Sequence, residues 1–208
     1  MASFPVLLLA AGASSRLGRP KQLLVFEGQT LLRRAAETAV AAAAGGPVVV
    51  VTGAQHDALL PELTGLPLQV VRCAQWEQGM GASLQAGLAA LEATGPVPSV
   101  AIMLCDQPFV TPALLRELAE THVASGQPIV ASAYDGTRGV PVFFSAAALP
   151  WLRELPASAG AGQLLRQHPQ LVATVSFAAG AVDVDTADQY AALLAGPPAP
   201  ASSAASCP

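Results

Sequence analysis

The chain has 208 residues, 52% of them hydrophobic and 12% charged, enough to bury a full core in one domain. A formal net charge of −4 and scattered basic residues leave no stripe that could neutralise a polymer's phosphates, so no nucleic-acid partner is expected. The apolar start lacks a basic leader and breaks at Gly12, and no other stretch approaches a membrane span, so a cytoplasmic protein with no membrane partner is expected.

Short apolar runs rich in β-branched residues alternate with longer stretches of helical period, the pattern of parallel strands joined by crossover helices. Val6 to Leu9 is the first predicted strand. It is followed by Ala10, Ala11, Gly12, Ala13, Ser14, Ser15, Arg16, Leu17 and Gly18. In open parallel sheets ligands bind beyond the carboxyl ends of strands, so this loop is where chemistry is expected. Small residues let backbone N–H groups approach an anion, Ser14 and Ser15 add hydroxyls, and Arg16 and Lys21 place two positive charges beside them. Together they describe a cradle for a polyphosphate. From the glycines alone, a plain surface turn reads about as well. Lys21 is the only lysine beside nine arginines, a compact ammonium where the chain otherwise uses a planar fork. The loop is neither a Walker motif, since Arg19-Pro20-Lys21-Gln22 follows Gly18, nor a Gly-x-Gly-x-x-Gly fingerprint.

Leu31 to Ala44 reads as a helix ended by Gly45 and Gly46, Val48 to Thr52 as a strand, Asp57 to Leu63 as a helix and Leu68 to Val71 as a strand. Gly79 and Gly81 precede a helix from Ser83 to Ala93, a start that either presents N–H groups and a hydroxyl to an anion or is ordinarily capped. Val100 to Leu104 is the next strand. Asp106 lies just past it, on the same sheet edge as the glycine loop; it reads either as a turn aspartate before Pro108 or as the place where Mg2+ would be held. Thr111 caps a helix from Pro112 to Ser125, and Ile129 to Ala133 is a fifth strand.

Beyond Tyr134 the alternation weakens. Gly139 to Phe144 reads as a strand, Ala147 to Leu155 as a short helix and Leu171 to Phe177 as a strand, which suggests an antiparallel excursion. Asp183 and Asp185 are expected on opposite faces of a further short strand, with Asp185 inward and Asp188 starting a last helix. The lone histidines His56, His122 and His168 and the unpaired cysteines Cys73, Cys105 and Cys207 indicate neither a zinc site nor a disulfide framework. Residues 196–208, rich in Pro, Ala and Ser, are expected to be a disordered tail behind a domain of residues 1–195. The expected fold class is α/β, a Rossmann-like three-layer α/β/α sandwich with a mostly parallel sheet and a small antiparallel excursion in the C-terminal half.

The stretch "LAAGASSRLGRPKQLLVFEGQTLL", Leu9 to Leu32, resembles the N-terminal signature of nucleotidyltransferases, and among them most closely the molybdenum cofactor (molybdopterin) cytidylyltransferases. The resemblance covers Pro5 to Leu194. It implies that Leu9, Ala10, Ala11, Gly12, Ser14 and Ser15 wrap the triphosphate of CTP, and that Arg16 and Lys21 hold the phosphates and the departing pyrophosphate. It implies Mg2+ on Asp106, within "LCDQPFV", and on Asp185, within an Asp-x-Asp-Thr ending. Gly81 and Ser83 would line the site near base and ribose, with Thr52 and Gly53 beside the base. No catalytic His or Cys is required.

The activity so implied is transfer of CMP to a phosphorylated acceptor, molybdopterin first. Ala10-Ala11-Gly12 stands where guanylyltransferases of the molybdenum pathway usually carry Ala-Gly-Gly, and the Asp-Ala-Ala-Arg-Pro segment of isoprenoid cytidylyltransferases is missing. Many relatives also carry Gly-Asp-x-Gly-Ala-Arg, whereas "SAGAGQLL" at Ser158 to Leu165 lacks both the acid and the arginine, so the acceptor side departs from the pattern. Another base or acceptor, or a non-catalytic nucleotide-binding factor that docks on a molybdoenzyme or its maturation partner, remains open at this point.

Overall fold

A computed structural model describes residues 3–195; the expected tail at 196–208, with Cys207, lies outside the described residues. In chain order the elements are β1 (Val6–Ala10), β2 (Val25–Phe26), β3 (Gln29–Thr30), α1 (Leu31–Ala43), β4 (Val48–Thr52), α2 (His56–Leu63), β5 (Gln69–Arg72), α3 (Met80–Ala93) and β6 (Ser99–Leu104). They continue with α4 (Pro112–Ser125), β7 (Ile129–Tyr134), β8 (Thr137–Ser145), α5 (Leu149–Arg153), α6 (Ala161–Gln167), β9 (Val172–Ser176) and α7 (Ala187–Ala195).

Seven strands form one sheet in the order β5-β4-β1-β6-β8-β7-β9. β5, β4, β1 and β6 are parallel, β8 runs antiparallel to both β6 and β7, and β9 pairs parallel with β7. The mostly parallel sheet and its antiparallel excursion are therefore as expected, in a Rossmann-like α/β/α sandwich. β1 shows why it has two covered faces. Val6, Leu8 and Ala10 join a cluster with Leu32 of α1 and Leu115 of α4, whereas Leu7 and Leu9 join one with Leu84 and Leu88 of α3. Alternation along a strand sends successive side chains to opposite layers, and each fully buried Leu contributes about 1.5–3 kcal/mol. Gly87 lets α3 lie close to the sheet, since a Cβ there would sit 2.2 Å from Leu7 Cδ1 and 2.7 Å from Val51 Cγ2.

Several expectations are corrected. β2 and β3 form an unforeseen hairpin whose turn, Glu27 and Gly28, has φ of 50° and 80°, as a tight primed turn requires. α3 begins at Met80, ahead of Ser83. The short helix expected over Ala147 to Leu155 is a 3-10 turn, Ala146–Ala148, followed by α5. α6 arises where no element is expected; buried Ala161, Leu164 and Leu165 give it a helical face. The segment 182–185 is neither helix nor strand and belongs to neither sheet. Residues two apart share a face, so the opposed aspartates were misassigned; the residue pointing into the core is Val184, between them.

That segment is held by a third cluster, in which Leu193 of α7 and Val184 pack on Leu24, Phe26 and Leu31. Tyr190 Oη also donates to Val25 O at 2.8 Å. The C-terminal helix is thereby fastened to the chain leaving the glycine loop. At the carboxyl edge of the sheet, connections from β1 lead toward β4 and β5 while β6 lies on the other side of β1. The strand order thus reverses between β1 and β6, which opens a crevice there.

Candidate active site at the switch point

The loop leaving β1 is folded so that the carbonyls of Ala10, Ala11, Gly12 and Ser14 are used while the N–H groups of Gly12 to Arg16 are not. Gln22 Nε2 donates to Ala10 O at 3.0 Å and to Gly12 O at 2.8 Å, and Ala54 N–H donates to Ala11 O at 3.1 Å. Lys21 N–H donates to Ser14 Oγ at 3.0 Å, with Ser14 at φ 55°. Among the described residues, no N–H from Gly12 to Arg16 donates to a protein acceptor. Consecutive free backbone donors form an anion-binding nest. Pro20 then leads into a 3-10 turn, Lys21–Leu23, that brings the lysine back beside the loop.

Lys21 Nζ donates to Asp106 Oδ2 at 2.5 Å and to Asp185 Oδ1 at 2.7 Å. Arg16, with its side chain 71% exposed, reaches Asp185 Oδ2 at 2.6 Å. Burial alone would lower the Lys21 pKa, but the charge of Asp106 and hydrogen bonds to both carboxylates outweigh it and raise it above the ordinary lysine value. Burial raises the Asp106 carboxyl, against the pull of Lys21. Burial also opposes ionisation of Asp185, yet the hydrogen bond and charge of Lys21, aided by Arg16, hold it below the ordinary range. Cys105 is pushed up to about 12 by burial and the neighbouring Asp106, so its thiol stays protonated at neutral pH within the core.

Asp185 is positioned by the start of α7. Thr186 Oγ1 accepts from Gln189 N–H at 3.2 Å, and Gln189 Oε1 accepts from Thr186 N–H at 2.9 Å, the reciprocal pair of a capping box. The same Oε1 accepts from Asp185 N–H at 2.9 Å, and Gln189 Nε2 donates to Asp183 Oδ1 at 2.9 Å, which occupies the second aspartate structurally. Val184 N–H donates to Asp106 O at 3.1 Å, joining the two acidic segments directly.

Beside this charged cluster lies a cleft of about 300 Å³, lined by Leu9 to Gly12, Lys21 and Gln22, Leu104 to Asp106, and across from them Trp76, Glu77, Gly79, Met80 and Ser83. The residues singled out from the sequence therefore divide. Leu9, Ala10, Ala11, Gly12, Lys21, Ser83 and Asp106 line the cleft, Asp185 joins it through Lys21, and Arg16 joins it through Asp185. Ser14 turns into the loop, and Ser15 is exposed.

Three are not brought in. Thr52 is fully buried, donating to Val71 O at 3.2 Å and lying 2.7 Å from His56 Nδ1, so its hydroxyl is committed to the sheet edge. Gly53 backs the loop: a Cβ would sit 2.6 Å from Ala11 O and 2.7 Å from Trp76 Cβ. Gly81 faces the segment 156–159, with Pro156 O and Ala159 O in the Cβ position, and Ala157 O accepts from Ala82 N–H at 3.2 Å, so part of this helix start is used internally. The sequence reading missed Gln22, Trp76, Glu77 and Met80, and also Gln189, for which the spacing Thr186-x-x-Gln189 was the available signal.

Among the described residues no three His, Cys, Asp or Glu side chains converge as a metal cluster. Asp106 and Asp185 nevertheless share one partner, and Asp106 Oδ1 is buried without a hydrogen bond. An unpartnered buried carboxylate oxygen beside a second carboxylate is a hard-oxygen donor pair, suited to Mg2+ or Mn2+ if phosphate oxygens and water complete the shell.

An α/β sandwich whose switch point joins an anion nest, a clustered pair of cations and two carboxylates defines a nucleotide-handling protein of the phosphoryl-chemistry class. The chain belongs to the MobA-like NTP transferase family, whose domain profile matches residues 6–172. It is 35% identical to nicotine blue oxidoreductase of Paenarthrobacter nicotinovorans, over 90% of this chain and 94% of that protein. Among solved structures it resembles Rv0371c from Mycobacterium tuberculosis H37Rv, with a TM-score of 0.77 and 29% identity over 93% of this chain and 99% of that one. A complex of Rv0371c with manganese aligns with a TM-score of 0.73 and 27% identity, over 94% of this chain and 100% of that one.

Proposed function

We propose that the protein transfers CMP from CTP to a phosphorylated acceptor, molybdopterin first, with release of pyrophosphate in the cytoplasm. The observation that carries this reading is the convergence of Lys21 Nζ on Asp106 and Asp185 beside a loop with free N–H groups from Gly12 to Arg16. An acceptor phosphate oxygen forms a bond to the α-phosphorus as the bond to the bridging oxygen of pyrophosphate breaks. Two anions must approach while charge builds on the leaving group, so positioning and cations are needed more than a nucleophilic side chain.

The nest at Gly12 to Arg16 would hold the leaving pyrophosphate. Arg16, exposed at the mouth, and Lys21, on its flexible stem, would neutralise it. Asp106 and Asp185 would hold Mg2+, which when bound supplies charge neutralisation at the phosphates. The manganese complex of a relative supports a divalent ion for the family. Ala10-Ala11-Gly12 supports the cytidylyl branch through the resemblance described above.

A second reading follows from the relative named as an oxidoreductase. A dinucleotide also carries a pyrophosphate, which the same nest would accept. Thermal shift with CTP, GTP, ATP, UTP and a reduced nicotinamide dinucleotide, each with Mg2+, separates the two, because only ligands of the folded state raise the midpoint. CTP-selective stabilisation, followed by pyrophosphate release in the presence of molybdopterin, supports the transferase. Stabilisation by the dinucleotide alone would replace it, and binding of CTP without turnover would support a non-catalytic assembly factor.

A further inference from the structure

Gln22 is 1% exposed, has no charge, and stands beside the lysine on which the site turns. Both donors of its amide are used, on Ala10 O and Gly12 O, and its Oε1 accepts from Ser14 Oγ at 3.3 Å. A buried amide is costly unless satisfied, and this one is satisfied entirely by the glycine loop.

The consequence follows from peptide geometry. In a trans peptide unit the C=O and the N–H point in opposite directions. The Gly12 carbonyl shares its unit with Ala13 N–H, and the Ala10 carbonyl shares its unit with Ala11 N–H. Drawing both carbonyls onto Gln22 turns those two N–H groups away from it. Ala54 fixes the Ala11 carbonyl between them, which orients Gly12 N–H as well. Lys21, next in the chain, is tied to the same loop through Ser14 Oγ.

We propose that Gln22 is the positioning residue that sets the polarity of this loop, turning the Ala13 N–H away from itself into the Gly12-to-Arg16 site for a pyrophosphate group and fixing that site relative to the Lys21 ammonium. The inference rests on the nucleotidyltransferase reading for its ligand, the pyrophosphate portion of an NTP. Gln22 touches no reacting atom; it acts through the loop.

The test compares wild type with Gln22→Met, which keeps length and apolar bulk without donors, and Gln22→Glu, whose carboxylate would repel the two carbonyls. Calorimetric titration with Mg2+-pyrophosphate and, separately, with CMP is the readout. Affinity for pyrophosphate should fall about tenfold or more in Gln22→Met, as loss of two hydrogen bonds implies, and further in Gln22→Glu, while affinity for CMP stays within about twofold. A merely structural role would weaken both ligands together, and equal pyrophosphate affinity in all three proteins overturns the proposal.

Should either variant fail to fold, amide spectra of the wild type decide. Mg2+-pyrophosphate should shift the Gly12, Ala13 and Ser15 amides, and unmoved amides overturn the proposal. If pyrophosphate affinity falls in the Gln22 variants as expected yet the wild type neither binds nor turns over any NTP, the nucleotidyltransferase reading fails while the role of Gln22 stands.

Discussion

Lys21 and Asp185, 164 residues apart in the chain, meet at 2.7 Å, and the same ammonium holds Asp106 at 2.5 Å. One cation thus keeps two carboxylates together in a largely buried place. Removing it leaves like charges facing each other with only Arg16 to offset them.

Lys21→Met should therefore destabilise the fold by about 3 kcal/mol, the scale for breaking a buried ion pair from one side, as measured by urea denaturation. Millimolar Mn2+ should then raise the melting midpoint of the variant more than that of the wild type, because a divalent ion can replace the missing ammonium between the carboxylates. Wild-type stability in the variant, with no response to Mn2+, would show that the acidic pair does not depend on this lysine.

Gly53→Ala probes the wall behind the loop. The added methyl would lie 2.6 Å from Ala11 O, a backbone atom that cannot rotate aside, and 2.7 Å from Trp76 Cβ. Overpacking of this kind costs about 1–3 kcal/mol and should displace the loop with it. Both stability and affinity for Mg2+-NTP are expected to fall, measured by denaturation and titration. A variant that binds nucleotide as tightly as wild type would mean that the loop moves independently of Gly53.

Thr186→Ala removes the hydroxyl that caps α7. The expected loss is about 1 kcal/mol, the usual cost of an N-cap deletion. Since Gln189 holds both Thr186 and Asp185 through one oxygen, divalent-ion affinity should weaken in parallel. Equilibrium denaturation and Mn2+ titration read the two effects separately, and a change in neither would remove the capping box from the account of the site.

Tyr134 supplies a pH prediction. Burial, with the nearby charge of Asp183, raises its phenol above the ordinary value of 10.0. A group whose folded pKa is raised stabilises the fold fully below the unfolded pKa and loses that contribution as pH rises through the folded one. Stability should thus decline above about pH 10 in the wild type, and less so in Tyr134→Phe. In Tyr190→Phe, which leaves Tyr134 as the only tyrosine, ultraviolet titration should place its ionisation above the free phenol; titration at or below 10 would contradict the burial seen here.

The polar-free runs at Val6 to Leu9 and Val48 to Thr52 were enough to read a parallel sheet, and a strand-end argument was enough to put Asp106 on the edge of the glycine loop. The limits have physical causes. The resemblance puts Gly53 beside the base and Gly81 near base and ribose, but a glycine beside a ligand and one demanded by a neighbouring carbonyl look the same in one dimension. Thr52 was misplaced because a hydroxyl at a strand end can bond its own sheet as readily as a base. Gln22 left no trace because its bonds run back over ten and twelve residues, a distance no local periodicity records. α6 was hidden by Gly160 and Gly162, whose low helix propensity is overridden by the burial of Leu164 and Leu165.

The fastening of α7 onto the hairpin, through Leu193, Val184 and the Tyr190 bond to Val25, has a consequence during synthesis. A ribosome that has delivered everything through β9 has made the glycine turn, the lysine and the first acid, but not Asp185 or the helix that pins it. The emerging polypeptide thus holds an unfinished pocket until Asp185 and α7 follow β9. A chain stopped after β9 would carry Lys21 and Asp106 without the second carboxylate, so the charged cluster closes only once the segment from Val182 through α7 has docked on the hairpin.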